Sequence, residues 1–165
     1  MPPLAFVAVA AWSEIEAQAP ELAARARGYL DAFVHKTLAT LRRDGSPRIS
    51  GSEVIFAEGE LWFGSMWRAM KALDLQRDPR FALHSGSPDP DDGWSGDAKL
   101  AGRVEECSTP ERIEAVVGSH KPPGPMHLFR ADITELVTVT LADPPTHLII
   151  ESWHEGRGVT RIERT

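Results

Sequence analysis

Residues 36–65 read KTLATLRRDGSPRISGSEVIFAEGELWFGS. Thr37, Leu38, Ala39, Thr40 and Leu41 make a strand-like run that stops at Asp44-Gly45-Ser46-Pro47, a turn signature in which Gly takes a positive φ and Asp bonds its own backbone. Arg48 to Phe56 then reads as the returning strand, and after the acidic turn at Glu58-Gly59 the bulky Leu61, Trp62 and Phe63 make a third. Three successive antiparallel strands joined by short turns form a meander, and the rest of the chain is read outward from it.

Toward the C-terminus, Arg68 to Arg77 contains good helix formers and ends at Asp78-Pro79, which predicts a short helix. Phe81 to Ser85 returns to strand texture, Gly86 to Gly96 is a polar Pro/Gly/Asp loop, and Ala98 to Cys107 is a further strand. Ser108, Pro110 and Glu111 open a second short helix running to about Val117. The three prolines within Lys121 to Pro125 withhold backbone donors and make a connector. Met126 to Asp132, Ile133 to Leu141, His147 to Trp153 and Val159 to Glu163 supply the remaining strand-like runs.

Toward the N-terminus, Ser13 with Glu16 resembles a capping box, and Pro20 leads an amphipathic helix over Glu21 to Phe33. The expected architecture is mainly β, with six or seven antiparallel strands and about three short helices. No alternating βαβ rhythm is present, which favours a closed antiparallel barrel over a doubly wound sheet.

With 165 residues, the chain is read as a single domain over residues 13–165, preceded by an apolar tail at residues 1–12. That tail is too short to span a bilayer and lacks a charged start. Acidic side chains outnumber basic ones 24 to 18, a net charge of -6, so no global field draws the protein to nucleic acid or an anionic membrane. Any phosphate must therefore meet a local basic cluster. The single Cys107 excludes a disulfide framework and fits a reducing, cytoplasmic location. Six histidines occur without the spacing of a metal pair, and no metal site is expected.

The ordered series Leu38 to Ser50, Gly59 to Ser65, Lys71, and Leu75-Gln76-Arg77-Asp78-Pro79-Arg80 resembles the pyridoxamine 5'-phosphate oxidase-like, FMN-binding split-barrel superfamily. The likeness runs from about Trp12 to the C-terminus. It implies a split β-barrel that pairs as a homodimer, with two cofactor sites each built from both chains. FMN is the implied cofactor, and the deazaflavin coenzyme F-420 is the alternative in the same groove. The implied activity is hydride transfer to or from an unidentified small molecule. A non-enzymatic protein that sequesters a flavin or haem is the reading from another class.

The resemblance also assigns residues. Arg48, Ile49, Ser50 and Ser52 match the strand that lies along the flavin ring and its phosphate arm, while Ser65, Met66, Arg68 and Lys71 match the phosphate loop. From spacing alone Arg48, Arg68 and Lys71 are solvated charges; the ordered resemblance makes them ligand contacts. Trp153 and Arg161 match the C-terminal pair that reaches the partner's flavin, Trp153 being read equally as a buried barrel-closing side chain. Two departures stand out. Glu53 occupies the place of a lysine carried by members that oxidise pyridoxamine phosphate, and Ala69-Met70 replaces the usual Ser-Arg pair.

Overall fold

The central hairpin forms as read: β1 (Lys36–Leu41) and β2 (Pro47–Ser52) pair antiparallel, with Lys36 opposite Ser52 and Leu41 opposite Pro47. Gly45 takes φ 83° in the turn, a left-handed value open to glycine without penalty. The Asp44 carboxylate accepts from Ser46 N at 2.9 Å and Ser46 Oγ at 2.6 Å. The structure is a computed structural model and describes residues 10–165.

Seven further strands follow: β3 (Val54–Ala57), β4 (Glu60–Met66), β5 (Arg80–His84), β6 (Gly96–Glu106), β7 (Met126–Leu141), β8 (Leu148–His154) and β9 (Gly158–Arg164). They make one antiparallel sheet in the order β2-β1-β5-β6-β7-β4-β3, with β8 on β7 and β9 on β8. Among the described residues there are thus nine strands, against the six or seven expected. The return strand expected over Arg48 to Phe56 is divided at Glu53, because β2 pairs with β1 at one end of the sheet and β3 pairs with β4 at the other. The chain crosses from one sheet edge to the opposite edge at that residue, and no ladder joins them among the described residues. This is the split of the barrel.

The reverse correction applies to β7. The break expected between Asp132 and Ile133 is a change of partner: residues 126–130 pair with β4 and residues 135–141 with β8, while the backbone runs on. Residues 129–140 of β7 are carried by β6, with a register shift at Ala101/Gly102. Gly102 is required there, since an added Cβ would collide with the Asp132 carbonyl.

Among the described residues four α-helices lie on the sheet, one more than the three or so expected: α1 (Trp12–Gln18), α2 (Pro20–Asp31), α3 (Met70–Arg77) and α4 (Pro110–Val116). The expected Ser13 cap is displaced. Ala11 stands at the cap, the Glu14 carboxylate accepts its amide at 2.7 Å, and Glu16 instead takes the indole N–H of Trp12 at 2.9 Å. Most of the expected tail, residues 1–9, lies outside the described residues; Ala10 bridges to Ile133, and Trp12 is buried. Lys36 Nζ donates to Phe33 O at 2.6 Å and Val34 O at 3.1 Å, fixing the exit from α2 into β1.

The main core gathers Trp12, Ile15, Leu30, Leu38, Phe63, Phe129 and Trp153 beneath α1 and α2. A smaller cluster of Trp62, Ile113, Val116, Met126 and Leu128 lies beneath α4. Each such side chain contributes about 1.5–3 kcal/mol on burial, which holds the helices to the sheet. Among the described residues no helix is long and apolar enough to cross a membrane.

Candidate functional site

A groove of about 890 Å3 opens along β2 and is walled by β4, the start of α3, the end of α4 and the segment leading to Pro122. It lies at the split, and among the described residues β2 has a ladder partner on only one side. Lys71 Nζ donates to Gly51 O at 2.8 Å, so that carbonyl faces away from β1. Backbone groups two residues apart in a strand point the same way, and the N–H and C=O of Ile49 therefore face the groove too. Burial pushes the Lys71 ammonium below its ordinary value, with Glu53 partly offsetting it.

Arg48 is held from behind. Its Nε donates to Asp74 Oδ2 at 2.6 Å, and the same carboxylate accepts Thr40 Oγ1 at 2.9 Å and Arg77 Nη2 at 3.0 Å. Burial pushes the Asp74 carboxyl up, but hydrogen bonds from Arg48, Arg77 and Thr40 outweigh it and leave it below the usual carboxylate range. Two guanidinium groups against one carboxylate leave this cluster with a net positive charge, and Arg48 is its member that lines the groove. The remaining Arg48 nitrogens are free to meet an anion.

The loop between β4 and α3 forms the adjacent wall. Helix α3 begins at Met70, two residues after the expected start, because Arg68 adopts φ 57° and Ala69 stands at the cap without a side-chain acceptor. A left-handed non-glycine residue costs about 1–2 kcal/mol and needs support. The Arg68 amide finds it in His127 Nε2 at 3.2 Å. His127 Nδ1 meets Glu106 Oε1 at 2.6 Å, and its ring is stacked on Trp67, with centroids 4.7 Å apart and planes at 8°. Gln76 Nε2 donates to Glu106 Oε2 at 2.8 Å and Ser108 Oγ to Oε1 at 2.9 Å. Burial raises the Glu106 carboxyl, while these hydrogen bonds together bring it below its ordinary value.

Of the residues singled out in the sequence, Arg48, Ile49, Ser50, Ser52, Ser65, Met66 and Lys71 line this one groove. The other three do not. The Arg68 side chain is not among its walls, although its amide anchors the loop. Trp153 is completely buried in the main core, where its indole N–H donates to Gln18 Oε1 at 3.1 Å; the barrel-closing alternative describes its place in this chain. Arg161 is exposed on β9 and pairs with Glu163 at 3.0 Å.

Sequence reasoning did not find Asp74, His127 or Glu106, whose partners lie far along the chain, nor the apolar wall of Ile55, Val116, Val117 and Met126. Of the chain's four methionines, Met66, Met70 and Met126 all line the groove. That clustering was the available signal, since flexible thioethers adapt to large apolar ligands.

No family model matches the chain, and no curated protein does. Solved structures match it in fold. A pyridoxamine 5'-phosphate oxidase-related, FMN-binding protein from Nostoc punctiforme superposes with a TM-score of 0.59 at 15% identity, over 92% of this chain and 97% of its own. An F-420 reductase gives 0.52 at 19% identity, over 67% and 94%. A heme-binding protein from Mycobacterium smegmatis gives 0.54 at 17% identity, over 84% and 86%. At these identities the likeness is one of architecture: the chain has the split β-barrel fold of pyridoxamine 5'-phosphate oxidase-like proteins.

Proposed function

We propose that the groove binds a flavin, FMN in the first place, and that the protein is a homodimeric flavin-dependent oxidoreductase acting on a small molecule. The observation that carries this reading is the convergence of Arg48, Ser65 and Lys71 on one apolar groove bounded by the open edge of β2. Its volume of about 890 Å3 lies within the range of cofactor sites. Arg48 offers a planar fork, Lys71 a point charge and Ser65 a hydroxyl to a phosphate. The outward N–H and C=O of Ile49 and the N–H of Gly51 suit the polar rim of a planar heterocycle. Met66, Met70 and Ile55 exclude water from its faces. A bound flavin supplies the hydride chemistry, which explains why no nucleophile or acid–base dyad is needed among the side chains.

Dimerisation is proposed from the rim. Ile49, Met66, Trp67 and Met70 are 73%, 75%, 55% and 55% exposed beside the groove, an apolar fringe that a second copy would cover. Arg161, exposed on β9 and paired with Glu163, is the residue proposed to approach a partner's groove, and Trp153 is left out of the proposed site. The free thiol of Cys107 suits a reducing cytoplasm.

Native mass spectrometry and visible absorbance of freshly purified protein test this reading. A dimer carrying two FMN molecules and a yellow flavin band is expected. A monomer that takes up no flavin from an excess would overturn it. The deazaflavin coenzyme F-420 has the same ring-and-phosphate layout and is recognised by its shorter-wavelength band. His35 and His120, on the same walls as the three methionines, favour a second reading, haem sequestration without catalysis, since imidazole and thioether both ligate haem iron. A haem spectrum in place of a flavin band would decide for it.

A further inference from the structure

We infer that His127 is the positioning residue for the phosphate-side wall of the groove, and that it holds this wall only as a neutral imidazole, so that acidification loosens the ligand. The inference rests on the flavin reading for the ligand concerned, while its structural part stands on the geometry of the 66–70 loop.

An amide N–H can only donate. The contact between Arg68 N and His127 Nε2 at 3.2 Å therefore requires a lone pair on Nε2 and places the ring proton on Nδ1, where Glu106 Oε1 receives it at 2.6 Å. Glu106 is itself fixed by Gln76 and Ser108, so neither end of the imidazole is free to turn. His127 is 2% exposed on β7, opposite Ser65 of β4, and its ring stacks with those of Trp67 and Phe129, whose centroids are 4.7 and 6.0 Å away. The flanks of the loop carry the groove: Met66, Ala69, Met70 and Lys71 all line it, and Ala69 N closes the bend onto Met66 O at 3.1 Å.

The groups facing His127 are divided. The Glu106 carboxylate accepts the Nδ1 proton, and the rings of Trp67 and Phe129 stack with the imidazole. The Arg68 amide, itself a donor, requires the lone pair of Nε2. A proton on Nε2 sets two donors against each other across 3.2 Å, and the left-handed Arg68 loses the contact that supports it. The least anchored part, the loop, gives way, displacing Met66 and Met70 from the groove wall.

The test compares the full chain with His127→Gln, which offers one acceptor and one donor that do not titrate. Nitrogen–proton NMR of the wild type reports which ring nitrogen is protonated and where the Arg68 amide resonates, from about pH 8 to about pH 5, the range in which histidines change charge. FMN is titrated into both proteins over the same range. Expected are an unprotonated Nε2 at the upper end, an Arg68 amide that shifts as Nε2 gains its proton, and FMN affinity that falls about tenfold more in the wild type than in His127→Gln. The phosphate of FMN also titrates near pH 6, equally in both proteins, so the difference isolates His127. A proton on Nε2 at the upper end, an unmoved Arg68 amide, or identical affinity profiles would overturn the inference. Should His127→Gln fail to fold, the wild-type resonances alone decide. Should the wild type bind no FMN at any pH, the flavin reading fails and the resonances still judge the clamp.

Discussion

Asp74 Oδ2 lies 2.6 Å from Arg48 Nε, which ties a buried carboxylate of α3 to a guanidinium that lines the groove from β2. The carboxylate also accepts Thr40 and Arg77, so its four contacts' worth of lone pairs are almost fully used and it packs where water does not reach. Asp74→Ala is expected to destabilise the fold by about 3 kcal/mol or more, because it strands a partly buried positive pair. Urea unfolding measures this. Asp74→Asn is expected to cost less and to weaken FMN binding, since an amide holds Arg48 less firmly.

Acid stability follows from two carboxylates. Asp74 is depressed by the balance described above, and Asp78 is brought to about 2 chiefly by its hydrogen bond from Arg80. Because both folded values lie below the ordinary aspartate value, their contribution is fully present above about pH 4 and is lost as the pH falls toward about 2. The share of the unfolding midpoint that Asp74 and Asp78 supply is expected to be flat from neutrality down to about pH 5 and to drop steeply below about 4. A drop that survives Asp74→Ala and Asp78→Ala together would assign it to other groups.

Lys71 and Arg77 separate binding from stability. Lys71→Ala removes a charge in the groove and is expected to weaken FMN by about 1.5–3 kcal/mol. Arg77 instead donates to Leu41 O at 2.5 Å and to Asp74, away from the groove. Arg77→Ala is therefore expected to lower stability by about 1 kcal/mol and to change FMN affinity by about half that or less. Paired flavin titrations and urea curves check both halves.

At the start of α3, Ala69 occupies a cap position with extended backbone and no acceptor, and Met70 lines the groove while 55% exposed. Ala69→Ser is expected to stabilise the protein by about 1 kcal/mol through the missing cap. Combined with Met70→Arg, it is expected to tighten FMN by about tenfold, the scale of one charge-assisted contact. Calorimetry of the single and double variants separates the two effects.

Trp153→Phe tests the placement of that side chain. Loss of buried volume and of the bond to Gln18 is expected to cost about 1–3 kcal/mol of stability, with FMN affinity unchanged. A selective loss of binding would return Trp153 to the ligand site.

The features legible in the sequence are those whose causes are local. Asp44-Gly45 announces its turn because Gly45 needs positive φ and Asp44 bonds the next amides but one. The groove strand Arg48 to Ser52 and the loop from Ser65 to Lys71 were reached through an ordered resemblance, and they do lie together. What stayed hidden depends on distant partners. Arg68 reads as a helical residue by propensity, but an imidazole 59 positions away draws it into the left-handed region. Glu53 carries no breaking signal; only the opposite pairing of its two flanking strands divides them. Asp132 and Ile133 looked like a strand boundary because a charged residue interrupts the apolar run, whereas the glycine that lets β7 continue past them sits on the neighbouring strand, at Gly102.

The unpaired side of β2 has a bearing on how the protein survives in a crowded cell. A strand edge with outward amides and carbonyls, flanked by exposed Ile49, accepts any extended chain that arrives, and most proteins protect such edges with charges, bulges or a covering element. On the proposed function the covering element is the ligand of the groove. An empty molecule is then expected to adhere to its own kind, and a filled one is not. Availability of the small molecule is thereby expected to set the soluble lifetime of the polypeptide, and preparations depleted of it should cloud on concentration while supplemented ones stay clear.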